Sequence, residues 1–374
     1  MKTTILKEVL REGLGIVGRI SQKNLSLPIL SSVLMTGEKN FICFKATDLE
    51  IGVKIWILSK VEKEGAIACP IRVLQGLIES LSSEKISLES EDKKLLIEAG
   101  NFRSQINCVD ADDFPIIPEI EAKTDFTIEA SQLIEGLSRV VDVASTSSVK
   151  PEIAGVYFKF NGNNLKMVAT DSFRLAEKTI ILDKSINQEI SFILPQRACR
   201  EIINIFAASS GDLKFYLASN QILIEEMMKE ASHPKTHFFC RLVEGDYPDY
   251  QGIIPQSFRL KANLQKNDFF QQLKTVSLFS NKINEVKIAA KQGKQELELE
   301  SQNPEVGKST SVVPAKVESE QSVEVSFNWR FLADGLNQIK SKDLVFSLSE
   351  NDGPAVLQSK EDPGFLYLLM PLRV

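Results

Sequence analysis

The chain has 374 residues, 43% hydrophobic and 25% charged, which excludes a disordered, collagenous or coiled-coil protein and allows two or three domains of about 150 residues. With 44 Lys/Arg against 50 Asp/Glu the net charge is −6, which argues against a surface that grips nucleic acid all over while leaving room for a local basic patch. There are 2 histidines and 5 scattered cysteines with no Cys-x-x-Cys pair, no signal-peptide core at the start, and no apolar run that could cross a bilayer; these predict a reduced, cytoplasmic protein that avoids membranes and does not rest on histidine catalysis.

In chain order the elements come in three rounds. Val9, Leu10, Leu14 and Val17 fall at helical spacing within 7–23. Segments 41–45 and 51–58 read as strands, separated by Ala46-Thr47-Asp48. Cys69-Pro70-Ile71-Arg72 opens a second helix over 71–81, and Asp112-Asp113-Phe114-Pro115 closes the round.

The second round has a helix over 131–144, carried by Leu133, Leu137, Val140, Val141 and Ala144, then a strand over 156–160. Asn161-Gly162-Asn163-Asn164 is hairpin-turn chemistry. Ala169-Thr170-Asp171 repeats the first round's triplet, Leu194-Pro195-Gln196-Arg197 opens a helix over 196–207, and Asp246-Tyr247-Pro248 closes the round. In the third, Phe269, Phe270, Leu273 and Val276 mark a helix over 265–278. Strands follow at 295–300 and 323–327, then a helix over 329–339 and turn residues Asn351-Asp352-Gly353.

Second helices start 64, 65 and 64 residues after first helices, a spacing that unrelated domains would not share. The predicted fold is α+β: three repeated domains, 1–122, 123–254 and 255–374. Each has two helices packed on antiparallel sheets, with about four strands after each helix. Pro118 and Pro255 mark the linkers.

The segments 7–23, 71–79, 131–150, 195–207, 265–282 and 328–342, which take in the helices and the residues next to them, hold 15 Lys/Arg against 8 Asp/Glu, so the remainder is more acidic than the whole. Arg197, Arg200 and Asn204 form one helical stripe opposite Ile202, Ile203 and Phe206. Basic helices on an acidic protein fit a face meant for a polyanion, although a solvated helix face gives the same pattern. No helix has the Arg/Asn/Gln cluster of base readout, so contacts with nucleic acid would go to phosphates.

Other motifs are weak. Gly307-Lys308-Ser309 lacks the upstream glycine of a phosphate loop, because Gln302 stands there. Pro234 breaks any helix that would align His233 and His237 with Cys240 on a metal. There is no Gly-x-Ser-x-Gly motif. No metal or cofactor is expected, and a cytoplasmic hydrolase or transferase is a minor alternative.

Several longer stretches then carry a family signature. They are Leu27-Pro28-Ile29-Leu30, Ala46-Thr47-Asp48-Leu49-Glu50, Ala169-Thr170-Asp171-Ser172-Phe173-Arg174-Leu175-Ala176, Tyr247-Pro248-Asp249-Tyr250 and Tyr367-Leu368-Leu369-Met370-Pro371-Leu372-Arg373. With the triplication, they resemble the bacterial DNA polymerase III beta subunit, the sliding-clamp family, over the whole chain. The resemblance implies the DNA-clamp (processivity) fold and a head-to-tail homodimer ring of six domains around double-stranded DNA. Twelve helices about 10 Å wide would leave a bore of about 28 Å, wider than the duplex. It also implies a non-catalytic processivity subunit that slides without sequence preference. Its partners would be the replicative polymerase, the clamp loader, and repair and translesion polymerases, each held by a short apolar peptide.

Matched position by position, the implied peptide pocket lies between the second and third domains. It takes Ile153, Thr170, Ser172, Phe173, Arg174 and Leu175 from one side and Pro248, Ile253, Ile283, Asn328 and Phe331 from another. The tail adds Leu368, Leu369, Met370, Pro371, Leu372 and Arg373. The implied DNA contacts are Arg72, Arg139, Arg197, Arg200, Lys266, Lys274 and Arg330 on the helices, with Lys23, Asn24 and Lys150 in loops. The implied dimer interface is Ile106 on the first domain with Leu278 and Phe279 on the third.

Core packing is the competing role for every apolar residue in these sets. Asp171 reads as a turn former that bonds its own backbone, since Asp48 repeats it. The apolar terminus reads as docked. Ser172 and Phe173 stand where the family commonly has Gly and then His or Tyr, and no basic residue lies near Gln251-Gly252, so a more apolar pocket is expected. The loop 147–152 carries one cation and one anion, which weakens its match to a DNA-touching loop. A structural or adaptor ring that holds no DNA is the remaining alternative.

Overall fold

The structure is a computed structural model that describes residues 1–21, 26–147, 149–349 and 353–373, with backbone alone at Asn187. Six α-helices lie among them: α1 (Lys7–Ile20), α2 (Ile71–Ser80), α3 (Ala130–Val140), α4 (Gln196–Ile205), α5 (Lys266–Ser277) and α6 (Trp329–Gln338). The apolar periodicity explains them. α1 buries Leu10, Leu14, Val17 and Ile20, and α5 buries Phe269, Leu273 and Val276, each a stripe at i, i+3/i+4. Each such side chain contributes about 1.5–3 kcal/mol when fully buried. No described helix is long and apolar enough to cross a membrane.

α3 ends sooner than its periodicity suggests. After Val140 the chain tightens into a 3₁₀ turn at Val141–Val143. The apolar spacing carries on through the turn, but a run of β-branched valines is a poor α-helix former.

The repeat is visible in single hydrogen bonds. The N–H of the first helical residue donates to the residue just before a later strand in all three rounds: Lys7 to Glu84 O (2.8 Å), Ala130 to Gly211 O (2.9 Å) and Lys266 to Lys342 O (2.8 Å). In the first and third rounds the same lysine also caps the end of the second helix. Lys7 Nζ donates to Leu81 O and Lys266 Nζ to Ile339 O, where a cation suits the helix terminus.

The chain divides into two compact units, one made of 1–134 with 200–242 and the other of 135–199 with 243–374. The first holds a five-stranded sheet in the order Lys60–Lys63, Lys2–Leu6, Lys85–Glu91, Lys94–Ala99, Phe102–Asn107. It also holds an eight-stranded sheet that runs from Thr124–Glu129 through Asp212–Leu217, Gln221–Met227, Pro234–Arg241, Ile51–Leu58, Phe41–Thr47 and Ser32–Glu38 to Gly65–Pro70. The second unit is built on one ten-stranded sheet. Its order is Gly155–Thr170, Arg174–Pro195, Asp362–Leu369, Ala355–Ser359, Asp343–Ser349, Phe258–Gln265, Gly307–Ser319, Glu296–Asn303, Glu285–Ala290, Val323–Asn328.

Two strand pairs join successive rounds. Pro234–Arg241 pairs with Ile51–Leu58, and Asp362–Leu369 pairs with Arg174–Pro195, both antiparallel. The middle round therefore contributes to both units.

The expected hairpin turn at Asn161-Gly162-Asn163-Asn164 is instead a bulge. Gly155–Thr170 pairs with Arg174–Pro195 from Gly155↔Pro195 to Thr170↔Leu175, with register shifts on either side of Gly162. Gly162 has φ +62°, so the residue chemistry was read correctly as a positive-φ site, but it bends a long ribbon rather than reversing it. Of the turn residues Asn351-Asp352-Gly353, the first two lie outside the described residues.

His233 and His237 belong to an aromatic cluster. His233 stacks on Phe41 with centroids 4.2 Å apart, and His237 meets Trp56 edge-on at 4.8 Å. His237 Nε2 lies 2.8 Å from Glu225. Burial lowers its pKa, outweighing the pull of that carboxylate. Gly307-Lys308-Ser309 opens the strand Gly307–Ser319, where Lys308 pairs with Glu300 at 2.8 Å.

Candidate functional site

In the second unit, Thr170, Ser172, Phe173 and Arg174 of the expected pocket form one tight turn, built by its own sequence. Thr170 Oγ1 donates to Arg174 O (2.7 Å) and accepts from the Ser172 N–H (3.1 Å). Asp171 Oδ1 accepts from the N–H groups of Phe173 and Arg174, both at 3.0 Å. Ser172 sits at φ +77°. The first unit repeats the turn. Thr47 Oγ1 bonds Ile51 O at 2.9 Å, Asp48 Oδ1 accepts from Glu50 and Ile51, and Leu49 takes φ +78°. Asp171 is thus a turn former, as Asp48 is.

Arg174 is the hub of the turn. Its Nε donates to Asp171 Oδ2 (2.9 Å), Nη1 to Asp334, and Nη2 to the Asp142 carbonyl (3.4 Å). The guanidinium carbon lies 4.5 Å from the Phe331 ring centroid, and Phe331 O accepts from the Tyr367 hydroxyl at 2.7 Å. Burial opposes the charge, but Tyr367, Asp171 and Asp334 outweigh it and push the Arg174 pKa above its ordinary value. Burial likewise raises Tyr367.

The tail is held at two points. Met370 N–H donates to Phe173 O and Leu372 N–H to Ser326 O, both 2.8 Å. Leu175, Leu368, Leu369, Thr170 and Ile153 are buried. Val168, Leu175, Tyr250, Val356 and Leu368 make one core cluster. Tyr250 donates to Glu177 at 2.6 Å, and burial first, then that carboxylate, raises its pKa.

Large apolar side chains remain open to solvent here. Phe173 is 61% exposed, and Ile253, Ile283 and Met370 are partly exposed. Phe173 stacks near Phe331 with centroids 6.4 Å apart. Ser172, Pro248 and Arg373 are exposed, while Pro371 and Leu372 are half-buried. Asn328 has a different task, because its side chain accepts from Arg330 N–H and caps α6. Residue types alone missed Asp334 and Tyr367. The available signal was the arginine itself, which needs a carboxylate partner once half-buried.

The expected DNA contacts divide. Arg72, Lys150, Arg200, Lys274 and Arg330 are exposed, and Arg197 is half-buried. Lys266 is half-buried and committed to the end of α6. Lys23 and Asn24 lie outside the described residues. Arg139 is corrected. It is 3% exposed, pairs with Asp362 (2.7 Å) and Glu135 (3.5 Å), and stacks on Phe365. Lys178 shares Asp362 at 2.8 Å. Helical periodicity placed Arg139 on its helix but could not show that two strands cover it.

Two stretches of open strand edge lie near the residues of the expected interface. In the first unit Phe102–Asn107 ends its sheet. Ile106 is 6% exposed and pairs with Leu95, so its side chain is core and only its backbone belongs to the edge. In the second unit, residues 307–314 of Gly307–Ser319 pair with Glu296–Asn303 on one side, and only 315–319 find a second partner. Beside that edge Leu278 is 74% exposed, Val306 60% and Val312 47%. Phe279 is half-buried.

Three successive α+β repeats, each with two helices on antiparallel strands, define a DNA clamp of the processivity type. Family models for the N-terminal, central and C-terminal domains of the DNA polymerase III beta subunit match residues 1–118, 127–249 and 251–373. The chain belongs to the DNA polymerase III beta subunit family. It is 26% identical to a beta sliding clamp of Staphylococcus epidermidis over 358 residues, 93% of each chain. It is 26% identical to the beta sliding clamp of Synechococcus elongatus over the full length of both. It superposes on the DNA polymerase sliding clamp of Bacillus subtilis with a TM-score of 0.93 at 25% identity, covering 100% of this chain and 99% of that one. Membership places the chain among non-catalytic processivity factors.

Proposed function

We propose that two copies of this chain close head-to-tail into a ring of six domains, bounded within each copy near 122 and 254, that encircles double-stranded DNA and slides along it. The ring tethers the replicative polymerase, the clamp loader and repair polymerases through short apolar peptides seated by Phe173, Arg174, Phe331 and Met370. The observation that carries the tethering is the pinned tail, which builds a rigid wall beside exposed aromatic and aliphatic side chains. A micromolar peptide needs about −8 kcal/mol, within reach of one buried aromatic–aliphatic pair.

The two open edges support closure. Phe102–Asn107 of one copy would add to residues 307–314 of the other, continuing a sheet across the joint. Retention then comes from topology, and phosphate contacts from residues such as Arg72, Arg200 and Lys274 only centre the duplex. Loaded onto nicked circular DNA by its clamp loader, the protein stays bound, then runs off once the circle is linearised. Equal loss from both forms overturns the ring. Phe173→Ala lowers affinity for a polymerase-derived peptide about tenfold, the loss of about 1.4 kcal/mol. Unchanged affinity in calorimetry removes Phe173 from the pocket.

A further inference from the structure

The first unit contains a cysteine pair that the clamp function does not use. After the edge strand Phe102–Asn107, the chain touches the outer edge of Gly65–Pro70 through one antiparallel bridge, Ala68↔Val109. Ala68 and Val109 exchange both backbone hydrogen bonds, at 3.2 and 2.9 Å. The next pair along this register is Cys69 opposite Cys108. Beside a hydrogen-bonded pair lies a non-hydrogen-bonded one, where facing Cα atoms come within about 4.5 Å and side chains share a face. A disulfide takes Cα separations of about 4.4–6.8 Å, so the backbone is already spaced for the bond.

That register sets the two thiols side by side. Cys108 Sγ also lies 3.5 Å from Ile106 O, and the neighbouring Cys69 thiol holds the Cys108 pKa below its ordinary value against the effect of burial, while that of Cys69 is raised. Cys69 is fully buried and Cys108 is 9% exposed, so only Cys108 offers solvent any access. The other three cysteines face different residues: Cys43 lies opposite Thr36 and Trp56, Cys240 opposite Ile222 and Ile51, and Cys199 Sγ donates to Leu194 O at 3.5 Å.

We propose that Cys69 and Cys108 are a redox modification site, closing to a reversible intrachain disulfide when a hydroperoxide reaches Cys108. The Cys108 thiolate attacks the peroxide's outer oxygen, forming an S–O bond and breaking the O–O bond; the departing alkoxide takes a proton to leave as an alcohol. The Cys69 sulfur then attacks the Cys108 sulfenic acid, forming the S–S bond while the S–O bond breaks. The Cys69 proton leaves with the hydroxyl as water. Two thiols are oxidised by two electrons and one peroxide is reduced. The bond ties the end of the open edge strand to the neighbouring sheet.

The test exposes the purified full-length chain to hydrogen peroxide, alkylates it after denaturation, and maps its peptides by mass spectrometry. The expected result is a loss of two hydrogens, located to a cross-link between Cys69 and Cys108, reversed by dithiothreitol, with near-UV circular dichroism retained. Cys69→Ser and Cys108→Ser each abolish the loss. Either of those variants that fails to fold is replaced by Cys69→Ala or Cys108→Ala, and the wild-type peptide map stands without them. Full alkylation of both cysteines after peroxide overturns the proposal. So does sulfinic acid on Cys108 alone, a bond to another cysteine or chain, or a cross-link that forms only with loss of the native spectrum.

Discussion

At the scale of single residues, charge placement is what sequence reading sees least well. Arg139, Lys178, Glu135 and Asp362 form a cluster in which Lys340 also reaches Glu135 at 2.9 Å. Burial works against the Asp362 carboxylate, yet Lys178 and Arg139 hold its pKa below the ordinary value, and Lys340 and Lys178 do the same for Glu135. A carboxyl depressed on folding stabilises the protein above its unfolded pKa, about 3.9 for Asp. That contribution fades as pH falls through the lower folded value. Urea unfolding should therefore show stability falling below about pH 4. Asp362→Asn should cost about 3 kcal/mol at pH 7, because buried Arg139 keeps only the longer contact to Glu135, and should flatten the acid loss. A variant as stable as the parent at pH 7 removes the cluster from the stability account.

At the scale of elements, one motif serves two ends. The Thr-Asp turn is the same in both units, down to the positive φ at Leu49 and Ser172. Next to it, Arg241 N–H donates to Glu50 O (3.0 Å) as Met370 N–H donates to Phe173 O (2.8 Å). Asp48→Ala and Asp171→Ala each lose two backbone bonds and should each cost about 1 kcal/mol in thermal unfolding. Only Asp171→Ala should weaken peptide binding, since Phe173 and Arg174 ride on that turn. Equal effects on the peptide would place the pocket elsewhere. Deleting 370–374 removes the wall tied to Phe173 and Ser326 and should abolish peptide binding in calorimetry while leaving the oligomeric state unchanged.

For the whole molecule, charge and edges decide behaviour. A helix cation can be spent on an acid outside the helices, as Arg139 is on Asp362 at 2.7 Å. The free excess is therefore smaller than the composition of the helices suggests, which suits weak, salt-dependent contacts to a duplex that must slide. Light scattering at micromolar concentration should give a dimer, and Leu278→Lys, which places a charge on an exposed apolar edge, should shift it towards monomer. Arg200→Glu should slow polymerase extension without lowering thermal stability, since the side chain is exposed. A monomeric parent, or unchanged extension, contradicts the respective claim.

The amino-acid order alone determined the six helices, whose apolar stripes repeat at helical spacing, and the turns, whose Thr and Asp side chains bond backbone a few residues away. It determined the triplication too, because equal spacing between helices survives where the residues differ. These are local features, set by neighbours in the chain. Tertiary structure decided the rest. Pro234–Arg241 joins Ile51–Leu58, and Asp362–Leu369 joins Arg174–Pro195, through backbone hydrogen bonds that any residue can make. The second of those pairings buries Arg139 under Asp362 and Phe365 and brings Tyr367 beside Arg174. Each outcome depends on a partner far along the chain, and strand pairing between distant segments leaves no periodic trace in either one.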